Sequence, residues 1–359
     1  MTRTFVIAEA GVNHNGSLDL AERLVDVAAD AGADAVKFQT FQASRLVSKH
    51  ARKAAYQERT TGADETQHAM IAKLELSEAH HHVLKARAVS RGIAFLSTPF
   101  DEDAVDLLTR VGVDRLKVSS GDLTNGPLLS RIAAAGLPVV LSTGMACLGE
   151  VEEALDYLAA GFLVHARKLA AGPVPRRGLA SSPEGRALLE AKVTVLHCTT
   201  EYPAPPSSVN LRAMATLASA FGLPVGYSDH TEGIAVSLAA VALGATLIEK
   251  HFTLDRTLPG PDHAASLEPP ALGALVQGIR TIEAALGDGR KRPMEAEIPN
   301  LAVARRSIVA KRPIAKGEIF TEESVTMKRP GTGISPMRLS EVLGRAAPRD
   351  YQEDELLDR

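Results

Sequence analysis

GYSDHTEGIAVSLAAVALGATLIEKHFTLDRTLPGPDH, residues 226–263, is the stretch whose reading decides the fold. Two short apolar strand candidates, 225–228 and 247–250, flank a helix-like run from 233 to 243. Each strand candidate ends in polar groups: Ser228, Asp229 and His230 after the first, Glu249, Lys250 and His251 after the second. Side chains alternate along a strand, so Ser228 and His230 share one face, and so do Glu249 and His251. Two histidines just past neighbouring parallel strands can converge on one divalent metal. A lone histidine more often caps or packs locally, and the pairing is what lifts these two above that reading.

Working outward, the same alternation of strand and helix fills most of the chain. Strand candidates are 5–8, 35–38, 94–97, 115–118, 139–141, 193–197, 225–228 and 247–250. Between them lie Ala/Leu-rich or amphipathic segments at 18–31, 77–91, 102–110, 127–135, 150–160, 211–221 and 233–243, with a last helix at 270–286. Eight strands and eight helices in strict alternation predict a closed parallel (β/α)8 TIM barrel, here over residues 1–287. The short strands are apolar throughout, as strands buried on both faces are. A doubly wound open sheet is the alternative, weakened because no GxGxxG opens the first helix.

Two stretches interrupt the pattern. Residues 41–75, polar and carrying six Lys or Arg, separate the second strand from its helix. They read as a lid or as a plain surface excursion. Residues 162–192, with GPVPRRGLASSPEGR inside, read as a surface insertion on the stability face of the barrel with no catalytic role. After Asp288 comes a linker, 288–300, then a small irregular β module, 301–359, broken by KGE, RPGTG and ISP turn signals. A module of that size buries little core and is expected to dock on a partner surface.

Net charge is -3, so no global basic field argues for nucleic acid. Two cysteines, Cys147 and Cys198, lie far apart without metal-ligand spacing, as expected in a reducing compartment. The opening MTRTFVIAEAG reads as a first strand rather than a signal peptide, and no run is long enough to span a membrane. The expectation is a cytoplasmic protein.

Chemistry in such a barrel sits at the carboxyl ends of the strands. There stand Glu9 with Asn13, His14 and Asn15; Lys37 and Gln39; Ser97 and Thr98; Lys117, Ser119, Ser120 and Asp122; and Ser142 and Thr143. The ring closes with His197, Thr199, Thr200, Glu201 and Tyr202; Ser228, Asp229 and His230; Glu249, Lys250 and His251; and, further out, Asp262. A barrel kept only for stability would not need a hydroxyl or charge at every strand end. Two lysines among Ser and Thr hydroxyls suit a substrate carrying both phosphate and carboxylate. Either lysine alone is also a candidate Schiff-base nucleophile, or a snorkelling rim cation. Two histidines suit Mn, Zn, Co or Fe, with water, Gln39 or a carboxylate completing the shell. Such a metal polarises a carbonyl oxygen, while Glu9, Asp122 and Asp262 are candidates for hydroxyl binding or proton transfer. Together these point to carbon–carbon bond formation on a sugar.

At these residues the chain resembles the sialic acid (N-acetylneuraminate) synthases, with the related legionaminate synthases and spore-coat polysaccharide proteins. The matching pieces are IAEAGVNHNG, AVKFQTF, STPFDEDAVDLL, LKVSSGDLTN, LSTGM, LHCTTEYPAP, GYSDHTEGI and IEKHFTLDRTLPGPDH. SIVAKRPIAKGE and KRPGTGI resemble the family's C-terminal antifreeze-like (SAF) domain, a β-clip. The resemblance implies a condensation of phosphoenolpyruvate with an N-acylated mannosamine-type sugar. The products are a nine-carbon 2-keto-3-deoxy sugar acid and phosphate. It implies a divalent metal, Mn before Mg or Co, on His230 and His251. Lys37, Gln39, Thr98, Lys117, Ser120, Ser142, Thr200 and Ser228 would surround phosphoenolpyruvate, and Glu9, Tyr202 and Asp262 the sugar. Asp122 would handle the proton of the capturing water. Arg329 would reach the sugar's acyl group in the other subunit of a domain-swapped homodimer. Asp122 stands where some members carry Glu, and Thr200 where some carry Asn. Read from the residues alone, a metal-independent Schiff-base aldolase and a non-catalytic carbohydrate-binding scaffold stay open.

Overall fold

A computed structural model describes residues 3–54, 57–58, 61–62, 64–168 and 177–358. It divides into two compact units, Met1–Gly287 and Asp288–Arg359.

In the first unit, eight parallel strands close on themselves: β1 (Phe5–Gly11), β2 (Ala35–Thr40), β3 (Ala94–Pro99), β4 (Leu116–Val118), β5 (Val139–Ser142), β6 (Val193–Cys198), β7 (Val225–Asp229) and β8 (Leu247–His251). β8 returns to β1 in register from Phe5↔Leu247 to Glu9↔His251, which closes the cylinder. Alternation sorts each strand into two populations. Val6, Ala8, Val36, Phe38, Leu116, Val118 and Ile248 turn outward and join the helices in the main core. Ile7, Ala35, Leu96, Val140, Leu196 and Leu247 turn inward and plug the barrel as an apolar layer. The next inward positions, two residues further along, are Glu9, Lys37, Thr98, Ser142 and Glu249, so a polar layer sits on the apolar plug.

β1 runs further than expected, because it bulges between Glu9 and Gly11. Gly11 has φ +53°, and a Cβ there would stand 3.3 Å from Glu9 Oε1, 3.4 Å from His251 Cε1 and 3.5 Å from Gln39 Nε2. Glycine at this position therefore lets three polar side chains crowd one point of the barrel mouth.

The stretch read as a surface insertion needs correction. Phe162 and Leu163 are buried in the last turns of the helix Leu148–His165. A helix at Pro183–Lys192, capped by Ser182, leads directly into β6 and buries Leu189. The Asp156 carboxylate accepts the N–H groups of Gly178 and Ala180 (2.9 and 2.7 Å). Both ends of the stretch thus belong to the barrel, and its middle, residues 169–176, lies outside the described residues.

The second unit pairs β9 (Ser307–Ala310) with β10 (Val325–Lys328) antiparallel around its own core of Ile308, Ile314, Phe320, Val325, Val342 and Tyr351. The stretch read as a linker is not wholly irregular, since a helix occupies Ile298–Ala304. Among the described residues no helix is long and apolar enough to cross a membrane.

His14 gives the first unit a pH-dependent stability. Its ring is fully buried, Nδ1 accepts the Gly16 N–H (3.0 Å), and Nε2 has no partner. Burial, aided by the neighbouring histidines, lowers its pKa to about 4. The folded value lies below the unfolded one of about 6.5. Its contribution is therefore intact above that value and is lost as the unfolded chain alone takes up the proton on acidification. The loss approaches about 3 kcal/mol near pH 4, and by pH 5 it is about 2 kcal/mol. His14→Asn keeps an acceptor but cannot titrate, so its melting temperature should fall less between pH 7 and 5. Equal slopes in the two proteins would refute the assignment.

Candidate active site

The polar layer opens into a cavity of about 240 Å³ at the carboxyl ends of the strands. Of the residues singled out from the sequence, Glu9, Lys37, Gln39, Thr98, Lys117, Ser120, Ser142, Thr200, Tyr202, Ser228, His230, His251 and Asp262 all line it.

Glu249 is the centre of the layer, a role that the sequence reading did not give it. Its Oε1 accepts from Lys117 Nζ (3.0 Å) and Ser228 Oγ (2.8 Å), and its Oε2 lies 3.6 Å from Lys37 Nζ. Lys37 reaches onward to Glu9 (2.7 Å) and donates to Thr98 Oγ1 (3.0 Å). The chain Glu9–Lys37–Glu249–Lys117 alternates in sign, and every member is buried. Burial pushes the Glu249 carboxyl up, but the ammonium groups of Lys117 and Lys37 outweigh it and hold the pKa well below the usual carboxylate range. Glu9 goes the other way, to about 7, because burial and the Glu249 charge together exceed the pull of Lys37. For Lys37, burial is more than offset by the two carboxylates, and its pKa is raised.

The two histidines face each other across β7 and β8, with ring centroids 5.6 Å apart and planes at 60°. His230 Nδ1 lies 2.6 Å from the Thr199 carbonyl oxygen. A carbonyl only accepts, so Nδ1 carries the proton and Nε2 keeps its lone pair. Burial lowers the His230 pKa to about 4 and, with the His230 ring beside it, holds His251 well below the ordinary range. Both imidazoles are neutral at pH 7, the state that ligates a metal. His251 Nδ1 is buried without a partner, and the Tyr202 ring covers the pair at 4.2 and 5.6 Å. The donor set fits a divalent ion taking two nitrogens, with water or substrate at its other positions. Among the described residues no three His, Cys, Asp or Glu side chains gather as a metal-holding group.

Further polar atoms await a partner. Ser142 Oγ and Thr200 Oγ1 are buried with none inside the protein. Burial raises Asp262 to about 6.

Expectations about several residues change. Asp122 is not among the lining residues. The 3-10 turn Ser120–Asp122 folds it back, so that its carboxylate accepts from Ser119 Oγ (2.7 Å), and Ser119 is the residue at the cavity. Asp229 and Lys250 pair with each other (3.1 Å) outside the barrel, where Asp229 also accepts from Ser237 of the helix Ala235–Ala242. They are one residue out of phase with Ser228 and Glu249, and alternation sends them outward. Arg329 belongs to the second unit and is exposed there.

The stretch 41–75 supplies part of the cavity wall through Phe41, Leu46, Gln57, Met70, Ile71 and Leu74. These residues escaped the sequence reading because they are scattered through a polar stretch. The reading of 41–75 as a plain surface excursion does not hold for the described part, and residues 55–56, 59–60 and 63 lie outside it.

Fold and site define the class: a (β/α)8 barrel enzyme with its polar groups assembled at the carboxyl ends of the strands. The NeuB family profile matches residues 24–291, and the SAF domain profile matches residues 305–358. The chain belongs to the NeuB family and is an enzyme of the sialic acid synthase type. It is 51% identical to an N,N'-diacetyllegionaminic acid synthase of Campylobacter jejuni, over 99% of each chain. It is 48% identical to the enzyme of that name from Legionella pneumophila, over 95% of this chain and 89% of the relative. The crystal structure of an N-acetylneuraminic acid (sialic acid) synthetase from Leptospira borgpetersenii superposes with a TM-score of 0.66 at 36% identity, covering 83% of this chain and 90% of that one.

Proposed function

We propose that the barrel mouth joins phosphoenolpyruvate to the open-chain form of an N-acylated mannosamine-type sugar, giving a nine-carbon 2-keto-3-deoxy sugar acid and phosphate. The observation that carries this is the convergence in one cavity of two ammonium groups, two neutral imidazoles and unpartnered hydroxyls. The names of the relatives support it, and those of the two legionaminate enzymes support an acceptor with two acetylated amino groups.

Lys37 and Lys117 meet the charges of phosphoenolpyruvate, with Gln39, Thr98, Ser120, Ser142, Thr200 and Ser228 offering hydrogen bonds around it. Carbon 3 of the enol attacks the sugar carbonyl carbon, forming the new carbon–carbon bond. Water adds at carbon 2, the bond from that carbon to the phosphate oxygen breaks, and a ketone remains. The two protons of the water end on the new hydroxyl and on phosphate. A divalent ion on His230 and His251, Mn first and Mg or Co as alternatives, would supply Lewis acidity at the sugar carbonyl oxygen. Tyr202 and Asp262 stand beside the acceptor, and Glu9, with its raised pKa, is placed to hold one of its hydroxyls. Asp122 acts on the incoming water through Ser119.

A Schiff-base route needs a neutral amine, whereas Lys37 and Lys117 are each committed to carboxylates in buried ion pairs. Arg329 is proposed to reach the acyl group from the other subunit of a swapped homodimer; a monomer in sedimentation that retains full activity would remove that role.

The test supplies purified protein with Mn, phosphoenolpyruvate and a panel of N-acylhexosamines. Phosphate release with a nine-carbon acid by mass spectrometry, abolished by EDTA, is the expected result. No phosphate from any acceptor, or a borohydride-trapped adduct formed in EDTA, would overturn it.

A further inference from the structure

Two charged side chains beside the histidines have no part in the cavity. Asp229 precedes His230, Lys250 precedes His251, and neither lines the barrel mouth. They pair across β7 and β8, where the register sets Asp229 opposite Lys250, and both are almost wholly buried (0% and 1% exposed). A buried ion pair gives little net stability over well-packed apolar residues of similar volume. What it adds is direction, because each carboxylate oxygen and each ammonium proton needs a partner at a fixed place.

Those partners enclose one of the histidines. Asp229 Oδ1 accepts the Thr231 N–H and hydroxyl (both 2.8 Å). Its Oδ2 accepts from Ser237 Oγ (2.6 Å) and lies 3.1 Å from Lys250 Nζ. Lys250 Nζ donates in turn to the Thr231 carbonyl. Residues 229 and 231 are thus tied to each other and to β8, with His230 between them. The His230 ring has a further tether in the Thr199 carbonyl. The His251 ring has no such tether on Nδ1, which is buried without a partner, and the rings of Tyr202 and His230 pack against it. Its place follows from its backbone, which β1 holds on one side through Glu9 and the Lys250–Asp229 link holds on the other.

Resting on the reading of His230 and His251 as metal ligands, we infer that Asp229 and Lys250 are positioning residues for the metal. Their pair locks the end of β7 to the end of β8 and so fixes the gap and tilt between the two imidazoles. Neither residue touches metal or substrate. Outer partners that orient metal ligands govern metal affinity by about 10- to 100-fold.

The experiment removes both charges at once. Asp229→Asn combined with Lys250→Met nearly keeps the volume and leaves no charge unpaired, so the double variant should fold. Mn affinity is read by calorimetry on the full-length protein, and ligand geometry by the visible absorption of the Co-loaded form. The double variant should bind Mn about 10- to 100-fold more weakly and show a changed Co spectrum. Its stabilisation by phosphoenolpyruvate in EDTA should match that of the unmodified protein, because Lys37 and Lys117 face inward. Ser237→Ala removes one donor from Asp229 but keeps both charges, and should move both metal readouts the same way by less. Thr40→Val is the control. It cuts a buried hydroxyl bonded to Ser97 Oγ and His81 Nε2 (2.7 Å each), away from β7 and β8, and should lower the melting temperature without changing Mn affinity. Unchanged metal readouts in the double variant, or in Ser237→Ala should the double variant not fold, overturn the inference. An equal loss of Mn affinity in Thr40→Val, or a parallel loss of stabilisation by phosphoenolpyruvate, also overturns it. An unmodified protein that takes up no Mn removes the metal reading itself, and the inference with it.

Discussion

His251→Ala is expected to cut kcat/KM by about 10³-fold, the equivalent of about 4 kcal/mol of lost carbonyl polarisation. On the proposed metal site, Mn should raise the melting temperature of the unmodified protein and should not raise that of the variant. The ring sits at the crowded point that Gly11 opens, its Nδ1 has no protein partner, and burial keeps it neutral. A buried polar atom left unpaired carries a cost that a ligand can relieve. His230 is oriented differently, by the Thr199 carbonyl, so the two rings supply nitrogens from separate strands. Metal that binds the folded form alone stabilises it according to its concentration and affinity. Metal content and Mn-dependent melting therefore report on His251 independently of turnover. A variant that keeps one Mn per chain and its activity would show that the ring only packs.

The barrel was legible because parallel strands buried on both faces are short, apolar and evenly spaced, and helices must lie between them. The site was legible to the extent that strand phase could be read. Ser228 with His230, and Glu249 with His251, share their faces as alternation requires. Asp229 and Lys250 were counted at the mouth only because phase was not applied to them. Asp122 failed for a different reason: a tight turn after β4 reverses the carboxylate, and no periodicity announces a turn. The apolar wall was hidden because Phe41 and Phe100 meet only once β2 and β3 are side by side. Residues 183–192 were masked by the Pro/Gly/Arg run before them, although Ser182 and Pro183 are a helix start. What the chain shows in order is phase and spacing. What it conceals is which distant segments share a wall.

The second large effect concerns charge in the floor. Glu249→Gln preserves shape and hydrogen bonding but removes the anion between Lys37 and Lys117. Lys37 retains Glu9 at 2.7 Å, whereas Lys117 loses its ion-pair partner at 3.0 Å. Leaving one member of a buried pair uncompensated costs about 3–5 kcal/mol, so the melting temperature of the ligand-free variant should drop steeply. In the proposed reaction, phosphoenolpyruvate brings negative charge to the same lysines. It should therefore raise the melting temperature of Glu249→Gln by more than it raises that of the unmodified protein. Lys117→Met supplies the opposite case, because the charge left over is then Glu249, held by Lys37 alone at 3.6 Å. An anion cannot repair that, and the stabilisation by phosphoenolpyruvate should shrink rather than grow. The contrast between the two variants is the discriminating result. If phosphoenolpyruvate stabilised both to the same degree, Lys117 would be a structural cation and the anion would have to bind elsewhere in the cavity.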